Sequence, residues 1–131
     1  MARQPIVEVD GNVLKNVKEV SFGVHATLDR DGAPTRGLEC DGIMIRKVAD
    51  DTTDLVEWSS SADQANRKSG KITFQDENGL EMKVVEWKGG YVRMYDVEYK
   101  DAGEHAEEVV LIEPEIISVG GTEHDFNWQN K

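Results

Sequence analysis

Cysteine, histidine and basic charge are scarce in this 131-residue sequence, and each scarcity excludes a class of function. A single cysteine, Cys40, rules out an intrachain disulfide framework and suits a chain that folds in a reducing compartment. No histidine or basic cluster lies beside it, so it reads as an inert thiol. The three histidines, His25, His105 and His124, form neither an i, i+4 pair nor a zinc-finger spacing. Glu123, His124 and Asp125 come nearest to a metal or base–orienter cluster, and a solvated polar tail is the plainer reading. The serines at 59–61 lack the Gly-x-Ser-x-Gly setting of an activated nucleophile. Gly89-Gly90 and Gly120-Gly121 read as turn pairs rather than a phosphate loop, and Asp29-Arg30-Asp31-Gly32 imitates only the start of a calcium loop. The sequence therefore offers no catalytic, cofactor-binding or metal-binding residues. No apolar run approaches bilayer length, and the first residues lack the apolar segment of a secretory signal.

Acid is what the chain has in excess. Twenty-six Asp and Glu against 15 Lys and Arg give a formal net charge of -11. Such a surface repels phosphate, which disfavours nucleic acid and anionic membrane as partners. The acids are spread along the chain, as on a solvated surface. Length, 38% hydrophobic and 31% charged content fit one globular domain over 1–131 with a single core.

The hydrophobic period is mostly two. Ile6, Val7 and Val9 before Asp10-Gly11 predict a short strand entering a tight turn. From 18 to 28 the alternation is strict, with Val20, Phe22, Val24, Ala26 and Leu28 on one face. Ile43, Met44, Ile45 and Val48 predict a further strand. Strands follow at 71–74 and 80–87 around an Asn78-Gly79 hairpin, then at 91–99 after a turn at Lys88-Gly89-Gly90. A last strand at 109–119 carries Pro114, which predicts a bulge or an unpaired stretch. Phe126 and Trp128 are candidate anchors in the polar tail.

The period changes once. Leu55, Trp58, Ala62 and Ala65 fall at i, i+3, i+7 and i+10, the apolar face of a helix over about 53–67. Asp54 and Glu57 have the spacing of a capping box, Thr52 and Thr53 compete as caps, and Arg67, Lys68 and Gly70 suit its end. The expected fold is mainly β: two packed antiparallel sheets forming a barrel-like protomer with one flanking helix. Residues 28–42 stand apart. They are glycine-rich, charged and aperiodic, and read either as a projecting contact loop or as a slack connection. Tyr91, Tyr95 and Tyr99 would share a face, as a half-buried sheet, a subunit contact or the lining of a small-molecule site.

Several phrases in order resemble the tube protein of type VI secretion, the haemolysin-coregulated protein family, especially its short Bacteroidetes-like form. They are LDRDGAPTRG, DDTTDLVEW, SGKITF, VEWKGGYV and EHDFNW, spread from Leu28 to Trp128. The resemblance implies a self-assembling, non-enzymatic subunit without cofactors. Six such subunits form a ring, and rings stack into a hollow tube that works with a sheath, a spike and effector cargo. It further implies synthesis in the cytoplasm and export through the contractile machine, and a ring-stacking role for the loop bearing Asp29, Arg30, Asp31, Arg36 and Glu39. Tube proteins of phage tails and of extracellular contractile injection systems remain alternatives, as does a small-molecule-binding barrel.

Overall fold

The computed structural model describes residues 4–28, 34–50, 53–60, 63, 66–99 and 106–125, and for 26–28, 34–39, 124 and 125 the backbone alone. Among the described residues nine strands and one helix occur: β1 (Ile6–Val9), β2 (Asn12–Val13), β3 (Val17–Leu28), β4 (Pro34–Val48), α1 (Asp54–Trp58), β5 (Lys68–Gln75), β6 (Glu81–Tyr99), β7 (Ala106–Glu113), β8 (Ile116–Val119) and β9 (Thr122–Asp125). The chain is mainly β, and every strand pairing is antiparallel.

Two sheets are joined through β6. Its first half pairs with β5 on one side and β8 on the other; its second half pairs with β7. One sheet therefore runs β2-β1-β5-β6-β8-β9 and the other β6-β7-β4-β3. Among the described residues the end strands are not paired with each other, so the ladder is not closed. Both sheets supply one core. Val7, Val9, Ile72, Val85, Trp87 and Ile117 come from the first, Val17, Ile43, Ile45, Val110 and Ile112 from the second, and Leu55 and Trp58 from the helix.

The expected turn at Lys88-Gly89-Gly90 is not a turn. The 19-residue β6 runs straight through it and changes sheets there. The opposite strand does the same: β7 ends at Glu113, β8 starts at Ile116, and the Glu115 N–H donates to the Lys88 carbonyl at 3.0 Å. Pro114, fully buried, sits where a ladder donor is dispensable. Gly89 carries the positive φ, 63°. Gly90 lies under Trp87, where a Cβ would come within 2.7 Å of its Nε1 and 2.9 Å of Ile112 Cγ2. The glycine pair and the proline together make a double corner.

The helix is shorter than its pattern. It ends at Trp58, and Ser59 and Ser60 are already in a turn. Three side chains occupy the carbonyls that a further helical turn would need. Ser59 Oγ donates to Val56 O and Ser60 Oγ to Glu57 O, both at 2.7 Å, and Asn66 Nδ2 to Trp58 O at 2.8 Å. Thr53 is the N-cap without a side-chain cap bond, so Asp54 is the first helical residue rather than the cap. Lys68 and Gly70 belong to β5.

Residues 34–42, expected to be loop, are strand, and residues 29–33 lie outside the described residues. The two strands β3 and β4 continue as one hairpin past the rest of the sheet, with Val24 opposite Cys40, His25 opposite Glu39, Ala26 opposite Leu38 and Leu28 opposite Pro34. Among the described residues only β3 pairs with β4 in this outer arm, because the register with β7 stops at Ile43. The sequence shows no period there, and backbone bonds to β3 make the strand. The tail departs too: residues 122–125 form β9, which returns along β8.

Candidate functional site

Three features stand out beyond the packed interior: the hairpin arm, two open sheet edges, and a cleft at the far end of the same hairpin. Of the residues marked as a stacking loop, Arg36 and Glu39 lie on β4, Glu39 opposite His25. Asp29, Arg30 and Asp31 lie outside the described residues. At the base of the arm His25 Nδ1 meets Asp41 Oδ1 at 2.7 Å.

The open edges belong to the second sheet. The 12-residue β3 and the 91–99 half of β6 each have a strand partner on one side alone among the described residues. Long unpaired edges of this kind are templates for another chain. The edge at β6 also bears exposed apolar side chains, Met94, Val97 and Tyr99, the last 71% exposed. The tyrosines do not share one face. A bulge between Val92 and Met94 shifts the alternation, so that Val92 and Tyr95 both pack on the core, Tyr99 follows on the same face beyond it, and Tyr91 falls on the other. The Arg67 guanidinium lies over the Tyr91 ring, 6.0 Å from its centre.

On the core face of this sheet the apolar columns Ile43–Ile45 and Ile112–Val110 end in a charge pair. Lys47 and Glu108 sit opposite each other, 2% and 5% exposed. Lys47 Nζ lies 3.3 Å from Glu108 Oε1, 3.3 Å from Asp50 Oδ2 and 3.2 Å from the Val48 carbonyl. Tyr95 donates its hydroxyl to Glu108 Oε2 at 2.5 Å. Burial first, and that bond second, push the Tyr95 hydroxyl up to about 12. The opposite face carries a second network. Glu98 and Glu107 face each other across β6 and β7, and Arg46 Nη1 bridges them at 2.8 and 3.0 Å. Lys18 reaches Glu107 at 2.5 Å. The hydrogen bond from Lys18, then that from Arg46, hold the Glu107 carboxyl down to about 2. These bridges turn a like-charge contact into a crosslink of β3, β4, β6 and β7.

The cleft lies beside α1. A space of about 450 Å³ is lined by Asn12, Val13, Leu14, Lys15, Lys47, Asp50, Asp54 and Leu55. It adjoins a recess of about 160 Å³ that shares Asn12, Leu14, Asp54 and Leu55 and adds Glu57, Trp58, Asn66 and Lys68. Leu55 and Trp58 are 5% and 2% exposed, while Ala62 and Ala65 lie outside the described residues. The Trp58 Nε1–H is buried with no acceptor among the described residues. The sequence placed Trp58 on an apolar helix face; nothing local marked its N–H as unpaired or the β1–β2 turn as the facing wall.

Comparison with known proteins bears on all of this. The family model for "Hemolysin coregulated protein Hcp (TssD)" matches residues 4–129. Among solved structures, Hcp1 from Flavobacterium johnsoniae is 25% identical with a TM-score of 0.79, covering 94% of this chain and 99% of its own. Hcp1 from Salmonella typhimurium is 14% identical with a TM-score of 0.71, covering 89% and 85%. A chain of the PVC extracellular contractile injection system, from its sheath-tube complex in the extended state, is 16% identical with a TM-score of 0.59, covering 88% and 87%. A search of curated protein sequences finds no significant match.

Proposed function

The chain belongs to the haemolysin-coregulated protein (TssD) family, and from that premise we propose that it is the structural subunit of the inner tube of a type VI secretion apparatus. In this reading it is not an enzyme. Six copies close into a ring, and rings stack into a hollow tube that carries effectors, is driven by a sheath, is capped by a spike, and leaves the cell through that machine.

The observation that carries the reading is the pair of long open edges on one four-stranded sheet, β3 on one side and the second half of β6 on the other. Because the two edges differ, joining one to the other in the next copy is a heterologous contact, which closes into a ring when the rotation allows. Edge pairing and apolar burial must supply the cohesion, since six copies of a -11 chain carry -66. Like charges repel over about 30 Å at 0.01 M ionic strength and about 8 Å at 0.15 M, so rings should strengthen as salt rises to physiological strength.

Light scattering and negative-stain images of the purified chain at micromolar concentration, across that salt series, test the reading. Ring-shaped hexamers that gain stability with salt support it. A monomer at every salt concentration overturns it.

A further inference from the structure

We propose that the cleft beside α1 is a binding site for a small zwitterion of the α-amino acid class, one molecule carrying a carboxylate and an ammonium. Such a site neither needs the tube reading nor supports it, so either can fail alone.

The cleft has the size and the charges of a ligand site. Its volume of about 450 Å³ falls within the range of about 300–1,000 Å³ typical of small-molecule pockets. Together with the adjoining recess it is lined by the charged side chains Lys15, Lys47, Asp50, Asp54, Glu57 and Lys68. Lys47 and Asp50 hold each other at 3.3 Å. The other four, two cations and two anions, make no ion pair among the described residues. Opposite charges that share a cleft without closing on each other leave a gap with a positive and a negative side. A simple anion there is repelled by Asp54 and Glu57, and a simple cation by Lys15 and Lys68. A molecule bearing both signs satisfies both sides. A divalent ion is a poor fit, because no three acidic, histidine or cysteine side chains gather around a common point among the described residues.

An independent observation marks where the carboxylate belongs. Trp58 lines the recess and is 2% exposed, and its Nε1–H is buried with no acceptor among the described residues. A buried donor left unpaired is unfavourable, and an incoming acceptor relieves it. A carboxylate accepting from the Trp58 indole also faces Lys68 in the same recess. The ammonium then faces Asp54, which borders both spaces, and Leu14 and Leu55 give the apolar part a wall. The indole nitrogen is covered, so the long rim side chains Glu57 and Lys68 turn outward as the ligand enters.

The test is a titration of the assembled protein, isotope-labelled at tryptophan and followed by nuclear magnetic resonance of the indole N–H groups. Trp58→Phe identifies the Trp58 signal by its loss. Alanine should move that signal downfield and saturate in the millimolar range. The Trp87 signal, already bonded to the Lys68 carbonyl at 3.1 Å, should stay in place. Propionate and ethylamine, each with one of the two charges, should bind at least tenfold more weakly. Asp54→Asn and Lys68→Gln should each raise the half-saturating alanine concentration at least fivefold while shifting the melting temperature by no more than a few degrees. A Trp58 signal that alanine leaves unmoved would overturn the site. Equal responses to alanine, propionate and ethylamine, or a response that either substitution leaves unchanged, would overturn it as well.

Discussion

The double corner and the outer hairpin arm are made of the same material, extended chain rich in glycine, yet they are held in opposite ways. At the corner, Trp87 is 1% exposed, its Nε1 donates to the Lys68 carbonyl at 3.1 Å, and Gly70 and Gly90 exist as glycine because the indole leaves no room for a Cβ. In the arm, the described strand pairing is to a single partner strand, with the His25–Asp41 contact at its base. Stability is concentrated where sheets share a strand, and the arm contributes least to it. The charge networks lie between these extremes, one buried against the core and one at the surface.

The largest effect should come from the corner. Trp87→Ala is expected to cost about 3–5 kcal/mol in chemical denaturation, and Trp58→Ala about 3, since Trp58 borders a cleft that water can enter. A melt unchanged by Trp87→Ala would remove the distinction between corner and arm.

The buried charge pair should come next. Lys47→Met leaves Glu108 facing the core with the Tyr95 hydroxyl as its remaining donor, at a cost of about 3 kcal/mol; adding Glu108→Leu should recover most of that. If the double variant is no better than the single one, the pair is not a unit.

A smaller effect is set by pH. Glu107 is held down to about 2 in the folded chain against 4.5 for an ordinary carboxyl. Its contribution is therefore complete above pH 4.5 and is lost as pH falls towards 2. Stability measured over that window should decline less steeply in Glu107→Gln than in the parent; equal slopes would show that Lys18 and Arg46 do not act on it.

The smallest effect on the protomer belongs to the arm. Replacing Asp29-Arg30-Asp31 with glycine and serine should shift stability by no more than about 0.5 kcal/mol while abolishing ring stacking. A large loss of protomer stability would mean the arm holds the fold, contrary to the comparison.

Much of the fold could be read along the chain. The Asp10-Gly11 turn has positive φ at both residues, 50° and 85°, and β1 returns to β2 across it. At the Asn78-Gly79 hairpin, Asp76 Oδ1 accepts from the Asn78 and Leu80 amides at 2.9 and 3.0 Å. These are local effects, in which a side chain or a missing Cβ sets its own backbone. The misreadings share the opposite cause. Gly89-Gly90 looks like a turn until Trp87 and Ile112 are known to cover it. The apolar spacing of Leu55 and Trp58 continues to Ala62, yet Ser59, Ser60 and Asn66 had already taken the carbonyls. The aperiodic stretch from 28 to 42 looks like a loop because alternation reports a sheet face, whereas 34–42 are made strand by backbone pairing with β3.

The candidate site divides in the same way. The sequence by itself determined the acidic surface, the two-residue period, the turn chemistry and the phrases that mark the family, because each depends on residues close together in the chain. Only the tertiary structure decided that β6 belongs to two sheets, that β3 and β6 leave long edges open among the described residues, and that Lys15, Lys47, Asp54 and Leu55 meet around one cleft. Those outcomes rest on pairings between residues tens of positions apart, and the free energy that selects them comes from burying both sheets against a single core.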